Sequence, residues 1–400
     1  MTKYSFSLLA GETGPLVMGD SPDMLCIPIH GHTPVLSEGD QVLAGTKIAS
    51  ADRPGDGDLH APLQGVIKSV DQFSLTIDLE GEGRVEPRRP PADSGDQLKG
   101  WLREMGVNVG GLASVATLIV NAVPPEPGVT IYEPLLRDYR MVVELGLETI
   151  GRIVNPSKTF LVTAKGNLAN AFPNCTVTHV EPVYPNGIDQ LVVKAVTGQE
   201  TLLGSPPKDT VLVSVRDLYF IGKIMETGRP FTETIMTVGG ENHVVKVGSP
   251  VGFLAKEAGI DAGRGDKVIL GGLMRGMAAL NLDQGVGKYA TALNVIKYGE
   301  GYAPTTNFCL GCGECERHCP ARIMPGMISR CAEFKLFERA EDYHIHSCFE
   351  CGICGYWCKA ERPLLQYIRY AKYELALLRT ATSNLDTAAL ADNQRQDETQ

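Results

Sequence analysis

Two stretches near the C-terminus repeat one cysteine spacing. Cys309, Cys312, Cys315 and Cys319, followed by Pro320, read C-x2-C-x2-C-x3-C; Cys348, Cys351, Cys354 and Cys358 read the same. Eight of the eleven cysteines are thus spent on one template used twice. Three thiolates on a tight loop reach three irons of a cube, and a fourth on a following helix reaches across to a neighbouring cube. The repeat predicts two [4Fe–4S] clusters with crossed ligation. Cys309, Cys312, Cys315 and Cys358 would hold the first, and Cys348, Cys351, Cys354 and Cys319 the second. Structural zinc favours paired C-x2-C knuckles, and disulfides need an oxidising compartment. The chemistry implied is one-electron transfer in a reducing compartment.

Length and charge narrow the field further. Four hundred residues suggest two to four domains. A net charge of −10, with no block of Lys and Arg, argues against nucleic acid as a partner. Cys26, Cys175 and Cys331 remain outside the two runs and read as small buried hydrophobes. The N-terminus does not read as a signal peptide, because the apolar stretch after Lys3 is short and broken by Gly11. Residues 107–125 carry no charge and are nominally long enough to span a bilayer, yet they contain Asn108, Gly110, Gly111, Asn121, Pro124 and Pro125. They read as a loop and a buried strand. No transmembrane segment is expected, so a membrane role would be peripheral and through partners.

Along the chain the rhythm changes four times, giving a multidomain α/β fold. Residues 1–83 read as short strands with glycine turns, among them residues 25–29 and 47–50 and the turn Glu38-Gly39-Asp40. Their pattern, V-x-x-G-D-x-V-x-x-G-x-x-I followed by H-A-P-x-x-G-x-I, resembles the barrel-sandwich β domain of lipoyl and biotinyl carriers. Such carriers modify a lysine at the hairpin tip. Residues 51–58 contain none, so a carrier role is not expected. Residues 84–100 are rich in Pro, Arg and Asp and read as a linker. Residues 101–229 alternate strands (117–120, 160–163, 211–215) with helices (134–150, 218–225, and a helix-like stretch at 191–196), an α/β core. Residues 230–303 read as a small β-grasp module and a connection, with a hairpin at 234–247 and a helix at 250–258. Residues 304–382 read as an α-helical ferredoxin domain, with two short helices in 323–343 and an apolar helix face from Leu364 to Leu378. Residues 383–400 form a polar tail expected to be disordered.

The order of pieces resembles the C subunit of the Rnf electron-transport complex over roughly residues 20–380. The pieces are I-P-x-x-x-H at Ile27, G-D-x-V-x-x-G at Gly39, L-I-V-N-A at Leu118 with the E-P of Glu126, and Y-P-N-G at Tyr184. A-V-T-G at Ala195, V-G-S-P-V at Val247 and G-G-L-M-R-G at Gly271 follow, then both cysteine runs and P-L-L-Q-Y-I-R-Y-A-K at Pro363. The family is related to the flavin subunit of respiratory complex I and to propanediol-utilisation cobalamin reductase. In that flavin subunit a loop G-x-G-G-A-G-F-P-T-x-x-K wraps FMN phosphate with backbone amides and admits NADH. Here the corresponding stretch runs from Gly106 through Gly110 and Gly111 without the A-G-F-P segment or the lysine, and the E-C-E-P-like segment has become Pro124-Pro125-Glu126-Pro127. FMN and NADH binding are therefore not expected. Should a flavin bind, Gly110, Gly111, Asn121 and Glu126 are the residues the resemblance nominates. Gly271-Gly272 reads either as a ligand-facing turn or as a plain strand-to-loop turn.

The resemblance implies an iron–sulfur electron-transfer subunit of a membrane-associated redox complex, peripheral on the cytoplasmic face of the cell membrane. Its partners would be other members of the complex and a soluble carrier such as ferredoxin or a cytochrome. No acid–base or nucleophilic catalytic group stands out; His318, His344 and His346 read as satisfied or solvent-facing. An FMN-dependent NADH dehydrogenase subunit, a corrinoid reductase and a docking scaffold are the alternatives. Flavin absorbance, cob(III)alamin reduction and cluster content would separate them.

Overall fold

The computed structural model describes residues 6–8, 13–92, 95–164, 172, 174–300, 304–305 and 307–397, the side chains beyond 380 excepted. The stretch read against a signal peptide lies mostly outside these residues. The chain divides into two compact units: residues 1–200 with 206–301, and residues 302–400 with 201–205.

In the first unit, the N-terminal segment forms two small antiparallel sheets. One orders Met24–Pro28, Ser74–Leu79, Gly65–Val70 and Gln41–Val42; the other orders His32–Pro34, Lys47–Ala51 and Leu59–His60. Alternate residues point inward, and Leu25, Ile27, Ile48, Ile67, Leu75 and Ile77 make a shared core at 0–1 % exposure. The segment read as a linker is structured at both ends. Val85 N–H donates to Ala44 O and Arg88 N–H to Gly228 O, and a helix spans Asp96–Glu104. Leu98, Trp101 and Leu102 bury one face of that helix, which outweighs the Pro- and Asp-rich composition before it.

Next comes a four-stranded parallel sheet in the order Thr176–His179, Lys158–Thr163, Thr117–Asn121, Thr210–Ser214. The first of these is an edge strand the sequence reading missed. The helix expected over 134–150 is two helices, Tyr132–Asp138 and Arg140–Val154, broken at Tyr139, whose ring meets Tyr219 edge-on at 5.3 Å. Helix Arg140–Val154 crosses helix Val215–Thr227 at a pair of glycines. A Cβ on Gly146 would lie 1.9 Å from Leu218 O, and one on Gly222 1.9 Å from Val142 O, so only glycine lets the backbones approach this closely.

The third layer is larger than the hairpin and helix expected. Six strands order as Val17–Met18, Glu241–Lys246, Glu233–Val238, Ala292–Ile296, Lys267–Leu270 and Met277–Ala278. Helix Val251–Glu257 packs on it through Val251, Leu254 and Ala255. Lys267–Leu270 is expected as a strand from sequence, whereas Met277–Ala278 and Ala292–Ile296 lie in the stretch read as a connection and Val17–Met18 joins from far along the chain.

The second unit is helical around the cysteine runs. Short helices Glu314–Arg317 and Ile353–Tyr356 follow the loops; helix Pro325–Glu333 and 3-10 turns Glu338–Tyr343 and Ile345–Ser347 lie between the runs. A final helix spans Leu364–Asp397, where a disordered tail was expected from Ser383. Ala388, Ala389, Leu390 and Ala391 favour helix, and the preceding turns propagate it cheaply.

Candidate iron–sulfur centre and the nucleotide crevice

The two cysteine runs follow the same backbone path. Gly311 and Glu350, Gly313 and Gly352, and Arg322 and Glu361 each have positive φ, at matching positions of the two runs. Each loop turns through these residues, enters a four-residue helix and delivers its fourth cysteine one residue past that helix's C-cap. The second run is buried, with Cys348, Cys351 and Cys354 at 7–8 % exposure, whereas Cys309 and Cys312 are exposed.

The fourth cysteine of each run faces the other run. Cys319 lines one small cavity with Cys348, Cys351 and Cys354. Burial and then the neighbouring thiolates, Cys348, Cys351 and Cys319, push the Cys354 thiol well above its ordinary value. Cys315 is raised by burial and by Cys309, Cys358 and Cys312. Buried thiols of this kind become thiolates at neutral pH only beside strong positive charge, which iron supplies. Among the described residues no three His, Cys, Asp or Glu side chains close on a single-ion site.

Backbone amides already point at sulfur. Glu350 N–H lies 3.4 Å from Cys348 Sγ, Arg362 N–H 3.5 Å from Cys358 Sγ, and burial of Cys315 is partly offset by the Gly326 amide. Around the second run, Lys372 Nζ donates to Cys348 O at 2.9 Å and to Glu350 Oε1 at 2.8 Å, while Arg369 Nε donates to Glu350 Oε2 at 2.9 Å. Burial pushes the Glu350 carboxyl up, but these two cations hold it below its ordinary value. The donor set fits iron–sulfur ligation with amides and cations placed to tune it. Arg362, Lys372 and Glu350 were not singled out from sequence. Arg369 and Lys372 do lie in the P-L-L-Q-Y-I-R-Y-A-K piece, the one signal that pointed there. Of the remaining thiols Cys331 is buried, but Cys26 and Cys175 are only partly so. Cys26 flanks a sheet edge, its N–H bonded to Gly248 O, and Cys175 precedes an edge strand, so neither reaches a core centre. His344 is exposed and His346 meets Glu341 and Arg379.

The nominated flavin residues do not converge on an open site. In a parallel sheet of this order, ligands sit beyond the carboxyl ends of the strands where the order reverses, here beyond Asn121 and Ser214. Asn121 is consumed internally: its Nδ2 donates to Gly187 O at 3.1 Å and Asp189 Oδ1 at 3.0 Å, and its Oδ1 accepts from Val123 N. Glu126 Oε2 accepts the amides of Met274 and Arg275, each at 3.0 Å. Gly271-Gly272 is the turn that wraps this carboxylate, since a Cβ on Gly272 would lie 2.1 Å from Glu126 Oε2.

The glycine segment is occupied too. The hairpin tip of the N-terminal module packs on it, with a Cβ on Gly55 only 2.4 Å from Gly110 Cα. Val109 N–H and Gly110 N–H both donate to Gly55 O, Gly106 N–H to Arg103 O, Val107 N–H to Leu102 O and Asn108 N–H to Tyr289 Oη. Gly111, next to Gly110, has open space where a Cβ would stand. At the N-terminus of helix Val215–Thr227 the chain supplies its own anion: Ser214 and Asp217 form a capping box there. Arg216 lies buried beside it, donating to Tyr289 O and Ala290 O, its guanidinium over the Phe220 and Tyr289 rings. These residues do not fit a bound flavin phosphate.

Eight cysteines in two matching runs on a helical unit, with Cys319 of the first beside Cys348, Cys351 and Cys354 of the second, carry the donor chemistry of an iron–sulfur protein. Over nine-tenths of its length the chain is homologous to the C subunits of Rnf-type ion-translocating oxidoreductase complexes. It is 27 % identical over 410 residues to the C subunit of the proton-translocating ferredoxin:NAD(+) oxidoreductase complex of Clostridium ljungdahlii, covering 90 % of each chain. To the C subunit of the Na(+)-translocating ferredoxin:NAD(+) oxidoreductase complex of Acetobacterium woodii it is 26 % identical, covering 90 % of this chain and 93 % of that one. It spans 55 % of the longer C subunit of an ion-translocating oxidoreductase complex from Pectobacterium carotovorum, at 26 % identity. Among solved structures, an NAD+-reducing [NiFe]-hydrogenase aligns with a TM-score of 0.42 and 14 % identity, over 67 % of this chain and 60 % of that one. No family model matches the chain.

Proposed function

We propose that this chain is the iron–sulfur subunit of an Rnf-type complex and relays single electrons through two [4Fe–4S] clusters without an FMN or NADH site of its own. The carrying observation is that Cys319, from the first run, lines one cavity with Cys348, Cys351 and Cys354 of the second. Cys309, Cys312, Cys315 and Cys358 are assigned to the other cluster. A ferredoxin:NAD(+) reaction of the kind named for two relatives has a one-electron end and a hydride end. The hydride end needs a flavin-like intermediary. In this chain the backbone donors of Gly106, Val107, Asn108, Val109 and Gly110 are all bonded within the protein, which supports assigning it the one-electron end. The partner there is a soluble carrier, ferredoxin or a cytochrome.

No helix among the described residues is long and apolar enough to cross a membrane. Peripheral attachment to the other members of the complex on the cytoplasmic face follows from this reading. Iron, acid-labile sulfide and flavin per chain after anaerobic purification test it. The expected result is about eight irons, four per cube, without stoichiometric flavin. A colourless, zinc-loaded protein with an intact fold would refute it.

A further inference from the structure

In the backbone correspondence of the two runs, the residue before the first run's fourth cysteine is His318 and its counterpart is Trp357. Their rings lie face to face, centroids 4.1 Å apart and planes 10° from parallel. Each ring therefore sits one residue from a thiolate that crosses to the opposite run. The histidine is fixed from behind: its Nδ1–H donates to Glu314 O at 2.9 Å, with the Glu314 carboxylate 3.5 Å away. Arg317 donates to that carboxylate at 2.7 Å and to Cys312 O at 2.9 Å, tying the stack to the loop of the first run. On the other side Tyr356 meets Trp357 edge-on at 5.7 Å.

We propose that the His318–Trp357 stack is a positioning clamp that sets the spacing of the two clusters. The proposal rests on the two-cluster reading above. The helical turns that deliver the crossing cysteines, Glu314–Arg317 and Ile353–Tyr356, are four residues each. Hydrogen bonds within such short turns fix neither their separation nor their mutual tilt. Two flat rings in contact fix both, because approach is blocked by their thickness and tilt by loss of face-to-face contact. The thiolate at the end of each turn inherits that geometry, and so does the cube it helps hold.

Dipolar coupling between two reduced clusters falls with the cube of their separation, so it reports the clamp directly. The full-length chain, purified anaerobically and reduced with dithionite, is compared by electron paramagnetic resonance with His318→Ala, Trp357→Ala and His318→Phe, with iron counted in each. The wild type should show spin–spin splitting, His318→Phe should retain it, and the alanine variants should show an altered splitting while keeping their iron. Alanine variants with full iron and unchanged splitting would overturn the clamp. Where an alanine variant sheds iron, His318→Leu fills the space without a ring face, and unchanged splitting there overturns it equally. A wild type holding fewer than two clusters overturns the two-cluster reading, and the clamp with it.

Discussion

Arg362 and Glu333 form a 2.6 Å ion pair in the helical unit, with the arginine side chain only 2 % exposed. The same guanidinium donates to Asn307 O at 2.7 Å and lies over the Tyr367 ring. One side chain thus ties together the segment before the first run, the helix between the runs and the start of the final helix. Breaking a buried pair by removing one partner strands the other charge, at a cost of about 3–5 kcal/mol. Glu333→Ala should approach the lower end of that range, since Glu333 is 26 % exposed. Replacing both residues, as Arg362→Met with Glu333→Leu, should recover much of the loss. Urea unfolding followed through the C-terminal unit measures this, and a double variant no better than the single one would contradict the account.

Crossed ligation makes the runs unequal under substitution. Cys319→Ala should damage the cluster held by Cys348, Cys351 and Cys354, and leave the one held by Cys309, Cys312 and Cys315 spectroscopically intact. Cys358→Ala should do the reverse. The ground is the cavity that Cys319 shares with the second run and the closeness of Cys358 to Cys315. Resonance Raman or paramagnetic spectra of the two variants decide it. If Cys319→Ala altered only the first cluster, each run would ligate its own cube.

The purified chain should not oxidise NADH. Iron–sulfur clusters accept electrons singly, whereas NADH gives up hydride, and the intermediary that splits the pair is a flavin. Here the glycine segment that would cradle its phosphate lacks free amide donors from Gly106 through Gly110, and Asp217 caps the helix whose N-terminus faces the crevice. Dithionite should bleach the clusters while NADH leaves ferricyanide and viologen unreduced. Recovery of FMN near one per chain, with NADH bleaching the clusters, would restore the dehydrogenase reading.

What the sequence disclosed and what it hid follow one physical rule. Ligand spacing is local, so the eight cysteines could be read directly. The spacing also carries the expectation that the fourth cysteine of each run crosses to the other, and Cys319 does line a cavity with Cys348, Cys351 and Cys354. Parallel strands with strong apolar runs, such as Thr117–Asn121, were equally plain, while the edge strand Thr176–His179, with no buried residue, gave no signal. Long-range relationships were invisible. Nothing local says that Gly55 fills the space beside Gly110, that Glu126 is wrapped by the turn at Gly272, or that His318 stacks on Trp357. The missing glycine loop could be seen as an absence; that the carrier-like hairpin tip packs against its remnant could not.

That packed junction predicts an acid-sensitive step. His60 is 6 % exposed, its Nδ1 has no hydrogen-bond partner among the described residues, and burial followed by the charge of Lys288 lowers its pKa from 6.5 to about 3. Lys288 is itself buried, donating to Gly106 O at 2.9 Å and to Asp58 O, and thereby joining the hairpin module to the core. Between pH 6.5 and about 3 the unfolded chain binds a proton at His60 that the folded chain refuses. Stability from this group is therefore complete above pH 6.5 and declines as pH falls, by up to about 1.4 kcal/mol per unit within the window. The Asp58 carboxyl, held low by Lys47 and Ala51 against its own burial, adds its loss only below the ordinary aspartate range. Asp189, raised by burial, acts with the opposite sign. Comparing urea midpoints of wild type and His60→Gln at about pH 7 and about pH 5, either side of the ordinary histidine value, reports the histidine together with its coupling to Lys288, whose own pKa burial lowers to about 7, while groups not coupled to His60 cancel in the difference. The wild type should lose more stability than the variant over that interval, and equal losses would mean that His60 takes up its proton without disturbing the fold.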